Sequence, residues 1–451
     1  MQQQNRLGTE RIPVLILKLG IPIMLSMMLQ ALYNVIDSIY ISRLGDIPMA
    51  AVSLAYPLQE AIVAIANGIG IGSTTLVARY LGEQKQKDAN ISANTAVCLS
   101  VAIGVLFLCL GSFLTKAYVG FFTHESALAQ ASMDYIGISI TYSIFQVACS
   151  VICFVLQGTG QSTQTLICLA IGVVMNVILD PVLMFVAGMG IKGAAWASII
   201  GQAVSLIVSI VLLWKSKAIT CFRKGEHICE KSKIGRILAV GIPTSLLQAS
   251  SAISLSLVNK MLISFTPLAV TVFGLYLKVE SFFFLPMHGL SNSLIPITSY
   301  NYGAGNEERT LKAYKTSLLY CYVFMMLGLV VFQTKPDVLI SIFNPSPELL
   351  ALSTHAFRRI SLCFLGGPMI YETAAFLQGF GKGGRAAMIT LIRQVCGVLP
   401  SAYILSKVIG LDGIWFCYLC GDIVGVAVCF FMLRYLRKNI LSKRSQGPVH
   451  S

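Results

Sequence analysis

Twelve apolar runs, at 13–40, 49–78, 91–118, 131–158, 163–187, 191–214, 234–262, 268–297, 311–333, 353–379, 384–408 and 411–437, fill nearly the whole chain. Each exceeds the roughly 20 apolar residues that carry a helix across a bilayer. Charged residues make up 12% of the composition, against about 25% in a soluble domain. No soluble domain of any size fits between the runs. These runs predict an all-α polytopic membrane protein of twelve transmembrane helices.

A second constraint is repetition. Leu156–Gln157–Gly158–Thr159–Gly160 returns as Leu377–Gln378–Gly379–Phe380–Gly381, and 377 − 156 gives an offset of 221. The same offset carries Gly20–Ile21–Pro22 onto Gly241–Ile242–Pro243 and Gly82 onto Gly303, while Gly190, Gly193 and Gly201 recur one position short, at Gly410, Gly413 and Gly421. Four anchors in one order mark a duplicated unit. With six runs per copy, both copies enter the membrane in the same direction, so a parallel internal repeat relates two six-helix lobes. The predicted layout is an N-terminal lobe over 1–214, a polar linker over 215–233 and a C-terminal lobe over 234–451 ending in a short basic tail. In an apolar chain such a duplication points to a carrier whose substrate path lies between the halves.

The net charge of +14 has a topological reading. Lys and Arg gather in alternate loops: Arg79, Lys85 and Lys87; Lys215 to Arg236, with Arg223 and Lys224 among them; Arg309, Lys312 and Lys315; Lys382 and Arg385; and the tail with Arg434, Arg437, Lys438, Lys443 and Arg444. The loops between hold little beyond Arg43, Lys116, Lys192, Lys335 and Lys407. This positive-inside pattern places both termini in the cytoplasm, and nucleic acid is not an expected partner. No small-residue cleavage site follows the polar start, so no removable signal peptide is expected. The thirteen cysteines lie mostly within apolar runs. Cys417-x-x-Cys420 and Cys149-x-x-x-Cys153 have helical spacing, but no His or second Cys pair stands near them in sequence, so single buried thiols are expected rather than a metal or redox centre. Prolines within the runs, among them Pro22, Pro57, Pro181, Pro243 and Pro400, mark either bending points or fixed kinks.

Polar groups inside the runs carry the chemistry. Gln30, Asn34 and Asp37 are spaced i, i+4, i+7 in the first run, on one helical face. Asn176 stands one turn before Asp180 in the fifth, followed by Pro181. A carboxylate at bilayer depth is costly and normally faces a cavity or a partner. The repeat supplies an internal control: Asn34, Asp37, Asn176 and Asp180 fall on Leu255, Val258, Gly397 and Ser401. A purely architectural role would be expected in both copies, so the asymmetry favours a cation-coupling site in the first half over a buried pair that fixes helix register. The carboxylates could carry a proton, or with Ser198 in the sixth run cradle sodium. The second half has its own unshared groups: Lys278, Glu280, Glu372, Arg393 and Asp422. Glu280 or Glu372 lining a cavity would suit a cationic organic substrate; internal neutralisation, for example of Glu372 by Arg393, is the other reading. Gln30, Tyr33, Gln157 and Met287 complete the candidate cavity set, and His288 is expected to be a packed residue.

Several of these residues also resemble a known family. Leu7-Gly8-Thr9-Glu10, Gly20-Ile-Pro, Leu32-Tyr33-Asn34-Val-Ile-Asp37 and Arg43-Leu-Gly45 resemble the opening of multidrug and toxic compound extrusion (MATE) transporters, in particular a MepA/DinF-like bacterial branch. Leu156-Gln-Gly158, Asn176 to Pro181 and Gly193-Ala-Ala-Trp-Ala-Ser198 are similar to its spans 4 to 6, and Tyr300-Asn-Tyr-Gly303-Ala-Gly305 with Leu377-Gln-Gly379 to its second half. The resemblance implies a two-lobed antiporter of the bacterial inner membrane that exports organic, often cationic, drug-like compounds against H+ or Na+ entry. Its first-lobe site would fall on Asp37, Asn176, Asp180 and Ser198, with Asn34 beside them, and with Na+ binding possible at Asp37, Asn176 and Asp180. Other branches place acidic ligands in spans 7 and 10; span 7 here has no carboxylate and Glu372 is off the usual position. The resemblance implies no enzymatic activity and no cofactor beyond the coupling ion; membrane lipid surrounds the chain, and one chain is expected to suffice. A flippase of lipid-linked or polysaccharide precursors from the wider superfamily is the competing reading. It would bring extra terminal helices and basic residues deep in the runs.

Overall fold

The computed structural model describes residues 6–123, 125–222, 228–343 and 345–438. Arg223 and Lys224 of the linker and Lys443 and Arg444 of the tail lie outside them. Each of the twelve apolar runs becomes a helical span: α1 Ile12–Ser42, α2 Asp46–Gly82, α3 Gln86–Phe122, α4 Ser126–Thr141 with Ile144–Gly158, α5 Ser162–Val186, α6 Ile191–Lys215, α7 Lys231–Ile263, α8 Pro267–Gly303, α9 Glu307–Thr334, α10 Pro347–Gly379, α11 Gly383–Val408 and α12 Leu411–Leu436. The described residues are 89% helical. Loops are tight and start helices with local caps: the Asn306 side chain accepts from the Arg309 amide (2.9 Å) and Ser346 from that of Leu349 (3.3 Å).

The duplication survives in the backbone. α4 bends by 42° between Thr141 and Ile144. The offset carries Tyr142 and Ser143 onto Cys363 and Phe364, which lie in the 3₁₀ turn Ser361–Leu365 of α10. No proline causes the first break, and Pro22, Pro57 and Pro243 sit inside uninterrupted helices. The π turns fall elsewhere, at Val182–Val186 after Pro181 in α5 and at Arg393–Val398 before Pro400 in α11. Those two prolines therefore mark irregular backbone, and the others do not.

Small residues let the halves touch. Gly68 of α2 meets Gly241 of α7, and the offset turns this pair into Gly289 of α8 meeting α1 at Met24, beside Gly20. At the end of the bundle that carries the basic loops, α2 and α8 cross: a Cβ on Gly82 would lie 2.0 Å from the Tyr300 carbonyl oxygen, and one on Gly303 2.2 Å from that of Arg79. Arg79 lies over the Tyr302 ring at 5.1 Å. Lys233 bridges to Asp88 (2.7 Å) and, with Arg236, donates to the Tyr80 hydroxyl (2.9 and 2.6 Å). Each of these contacts joins one half to the other. The described part of the connection from α6 to α7 lies along α3, with the Thr220 and Phe222 amides donating to Asn90 and Asn94 (both 3.0 Å).

Candidate functional site

Asp37 and Asp180 come together in the first half, at the far end of the cavity from the basic loops. Asp180 is fully buried and Asp37 is 7% exposed. The two are close enough to feel each other's charge, and Tyr33 and Tyr135 lie within electrostatic reach of both. Among the described residues neither carboxylate has an ion-pair partner, and the Oδ1 atom of each is buried without a hydrogen bond. Two buried negative charges with no counter-ion are strongly disfavoured, so the pair has to take up a proton or a cation.

One hydrogen-bonded chain leads away from this pair. Asn176 lies one helical turn before Asp180, and only one orientation of its amide satisfies its neighbours. Its NH2 then donates to Asp180 Oδ2 (2.8 Å), and its carbonyl accepts from the Ser198 amide (3.0 Å) and hydroxyl (3.2 Å). The opposite orientation keeps a 3.2 Å bond to Ser198 Oγ but turns the carbonyl onto the carboxylate. Ser198 Oγ in turn lies 2.9 Å from the Tyr33 hydroxyl. The chain is Asp180, Asn176, Ser198, Tyr33, drawn from α5, α6 and α1.

The chain ends on an open-sided cavity of about 240 Å³ lined by α1, α2, α4, α5 and α6, with Asn292 of α8 also in its wall. Of the candidate residues, Gln30, Tyr33, Gln157, Asn176 and Ser198 line it. Asn34 is exposed where Asp37 is buried, although three residues turn a helix by about 300° and leave the two only about 60° apart around the axis. Asn67, Gln146, Gln202 and Asn292, carboxamides on four different helices that no spacing along one helix connects, also face the cavity. A cluster of Cys149, Cys153 and Cys168 packs beside it, bringing to the α4 pair a third thiol that sequence spacing did not show. Among the described residues no group of three or more His, Cys, Asp or Glu gathers as metal ligands would.

The second-half candidates do not line this cavity. Met287 is fully buried in the core of that half. Glu372, also fully buried, accepts from Ser291 (2.7 Å) and Cys321 (3.0 Å). Glu280 takes the Tyr276 hydroxyl at 3.4 Å. The suggested pairing of Glu372 with Arg393 is not formed: Arg393 Nε donates to Asp422 Oδ1 at 2.6 Å, because α12 packs directly on the π turn that carries Arg393. His288 is packed edge-on against Tyr371 at 4.8 Å.

The profile of the MatE family matches the chain twice, over residues 22–182 and 243–404, a second and independent sign of the duplication. A multidrug export protein MepA from Staphylococcus haemolyticus is 22% identical over 93% of both chains. An FAD transporter from Shewanella oneidensis is 24% identical over 96% of both. Among solved structures, a MATE bound to MaL6 superposes with a TM-score of 0.92 at 24% identity, covering 98% of this chain and all of the other. The outward-facing conformation of a multidrug resistance MATE transporter gives the same score over 98% and 99%.

Proposed function

Because the chain belongs to the MATE family of membrane transporters, we propose that it exports small organic molecules in exchange for H+ or Na+ bound at Asp37 and Asp180. The observation that carries this reading is the pair of buried carboxylates without a counter-ion, one hydrogen-bonded chain from a polar cavity. Ionised Asp180 holds the Asn176 NH2, so the Asn176 carbonyl holds the Ser198 hydroxyl and Tyr33 is fixed through Ser198. Loading a cation changes that order. A proton on Asp180 weakens the grip on the amide. A sodium ion draws the amide carbonyl towards itself and reverses it. Either event changes the hydrogen bond that Ser198 makes with Asn176 and passes on to Tyr33, both of which line the cavity, and so alters its affinity for solute.

The halves then rock about the glycine contacts of α1, α2, α7 and α8, with the Lys233–Asp88 and Arg79–Tyr302 contacts closing the basic end. The basic end faces the cytoplasm of a bacterial inner membrane, and a single chain is the working unit. A multidrug exporter and an FAD transporter among the relatives support an organic solute.

Efflux into everted vesicles under an imposed pH gradient, then a sodium gradient, tests the reading. Wild type is expected to respond to one gradient, and Asp37→Asn and Asp180→Asn to abolish the response at matched expression. Gradient-driven transport that survives both substitutions would place coupling elsewhere.

A further inference from the structure

The residues ahead of α1 are seated on the opposite half of the molecule. Arg6–Thr9 form one turn of helix. Leu7 is fully buried in the core of the second half, together with Ile12, Leu15, Ile16 and Leu19 of α1. Gly8 lies against the Tyr300 ring, where a Cβ would stand 2.7 Å from Cε1. Asn301 Nδ2 donates to the Leu7 carbonyl (3.0 Å), and the Arg309 guanidinium to the carbonyls of Leu7 (3.3 Å) and Glu10. The corner between α8 and α9 thus grips a segment that runs directly into α1, whose far end carries Tyr33 and Asp37 in the first half.

The repeat places a matching seat on the other side. The offset of 221 carries Tyr80 and Asp88 onto Asn301 and Arg309, and residues 7–19 onto 228–240. Tyr80 and Asp88 are the residues that hold Lys233 and Arg236 at the start of α7. The Glu230 amide donates to Thr95 (3.3 Å), and Ile237, the counterpart of Ile16, is buried in the first-half core. The two seats share a position but not a chemistry: one takes cationic side chains, the other backbone carbonyls. Among the described residues Arg309 has no carboxylate partner, so its charge rests on those carbonyls. Arg309 and Asp88 are both half-exposed, so water can take over each hydrogen bond as a segment lifts. Tyr300 ties the first seat to the closure of the basic end. Its ring receives Gly8, while its carbonyl faces Gly82 where α2 and α8 cross.

We propose that residues 6–10 form a latch: seated on the α8–α9 corner they hold the basic end closed, and they leave that corner when the end opens. Resting on the rocking of the halves described above, the latch can be tested without solute or gradient, and so apart from coupled export. Thr75 is buried where the halves meet, with its hydroxyl on the Gln378 carbonyl (3.2 Å), and lies further along α2 from the basic loops than Gly82. In everted vesicles a membrane-impermeant maleimide should label Thr75→Cys slowly, as read by mass spectrometry of that peptide. Added to that chain, Arg309→Gln removes the charged donor and Gly8→Val wedges the turn off the Tyr300 ring. Each is expected to speed labelling by about five- to tenfold. Conversely, Gly8→Cys with Tyr300→Cys lets a short bifunctional methanethiosulfonate pin the segment in the space the ring vacates. Pinning should slow labelling by about the same factor, and reduction should restore it, a reversal that a misfolded variant could not show. The same reagent on the chain with Thr75→Cys alone is the control. Labelling that pinning leaves unchanged, whatever the other variants do, would make the segment a fixed part of the second half and overturn the proposal.

Discussion

Aligned by the repeat, the two halves of the chain fill the same space with different chemistry. Val63, Asn67, Ser150 and Gly172 line the first-half cavity; their counterparts are Phe284, His288, Tyr371 and Arg393. In the second half those side chains close on one another, with Phe284 edge-on to Tyr371 at 5.9 Å and Tyr371 edge-on to His288 at 4.8 Å. Beyond them Phe283, Phe332 and Phe364 form an aromatic cluster with ring centroids 5.3 to 6.0 Å apart, where the first half has Ile62, Gly111 and Ser143. One half has become a hollow lined by amides and the other a packed wall. A duplicated transporter thus needs only side-chain volume and polarity to assign its halves different work, because the helices and their breaks are common to both.

The ion pair inside that wall offers the largest effect. Arg393 and Asp422 are both buried and hold each other at 2.6 Å. Asp422→Ala leaves a buried guanidinium uncompensated and is expected to cost about 3–5 kcal/mol. The equivalent Gln202→Ala, at a cavity wall, should cost about 1 kcal/mol or less. Thermal unfolding of both variants in one detergent measures the contrast. The double variant Arg393→Gly with Asp422→Gln, which installs the first-half residues, removes both charges and should recover much of the loss. A double variant as unstable as the single one would show that packing, not charge, is what the pair supplies.

Next comes the coupling pair. Asp180→Ser places the second-half residue in the first half, and Ser401→Asp does the converse. Coupling between sites typically amounts to about 5- to 150-fold, and Asp180→Ser should lose gradient-driven transport by that order. Ser401 already spends its hydroxyl on the Gly397 and Val398 carbonyls at 2.7 and 3.0 Å, so Ser401→Ala should leave transport within about twofold. Equal losses from the two single replacements would end the case for a one-sided coupling site.

What the sequence made legible follows from contrast. The twelve spans stand out because polar breaks interrupt apolar runs, and Asp37, Asn176, Asp180 and Ser198 because charge and its partners are conspicuous in such runs. The bend in α4 carries no such mark, since Tyr142 and Ser143 are neither proline nor glycine. The amides at Asn67, Gln146, Gln202 and Asn292 were invisible for a related reason: each stands on a different part of the bundle, so no spacing along one helix connects them. The repeat could have found them, as it found the aspartates, because each amide has lost its counterpart in the other copy. Pairing between helices was beyond spacing arguments, which is why Arg393 was matched with Glu372 in place of Asp422.

The smallest effect is the most discriminating. Ser198 joins the carboxylate side of the first half to its cavity side, accepting or donating at 2.9 Å with Tyr33 and at 3.2 Å with Asn176. Ser198→Ala removes the hydroxyl but keeps the backbone N–H that donates to the Asn176 carbonyl at 3.0 Å, so Asn176 and Asp180 stay in place while Tyr33 loses its link. The loss of the hydroxyl's two hydrogen bonds, together about 1–2 kcal/mol, should shift the half-saturating concentration of the coupling ion by about five- to thirtyfold without abolishing transport. Ser198→Thr keeps the hydroxyl and should restore the wild-type value. The second-half counterpart, Tyr418, holds its place by stacking on Phe273 at 5.9 Å, so Tyr418→Phe should change nothing beyond about twofold. If Ser198→Ala instead lowered solute affinity and left ion affinity unchanged, Ser198 would belong to the solute site alone, and the carboxylates would have to signal to the cavity by movement of α1 and α5 themselves.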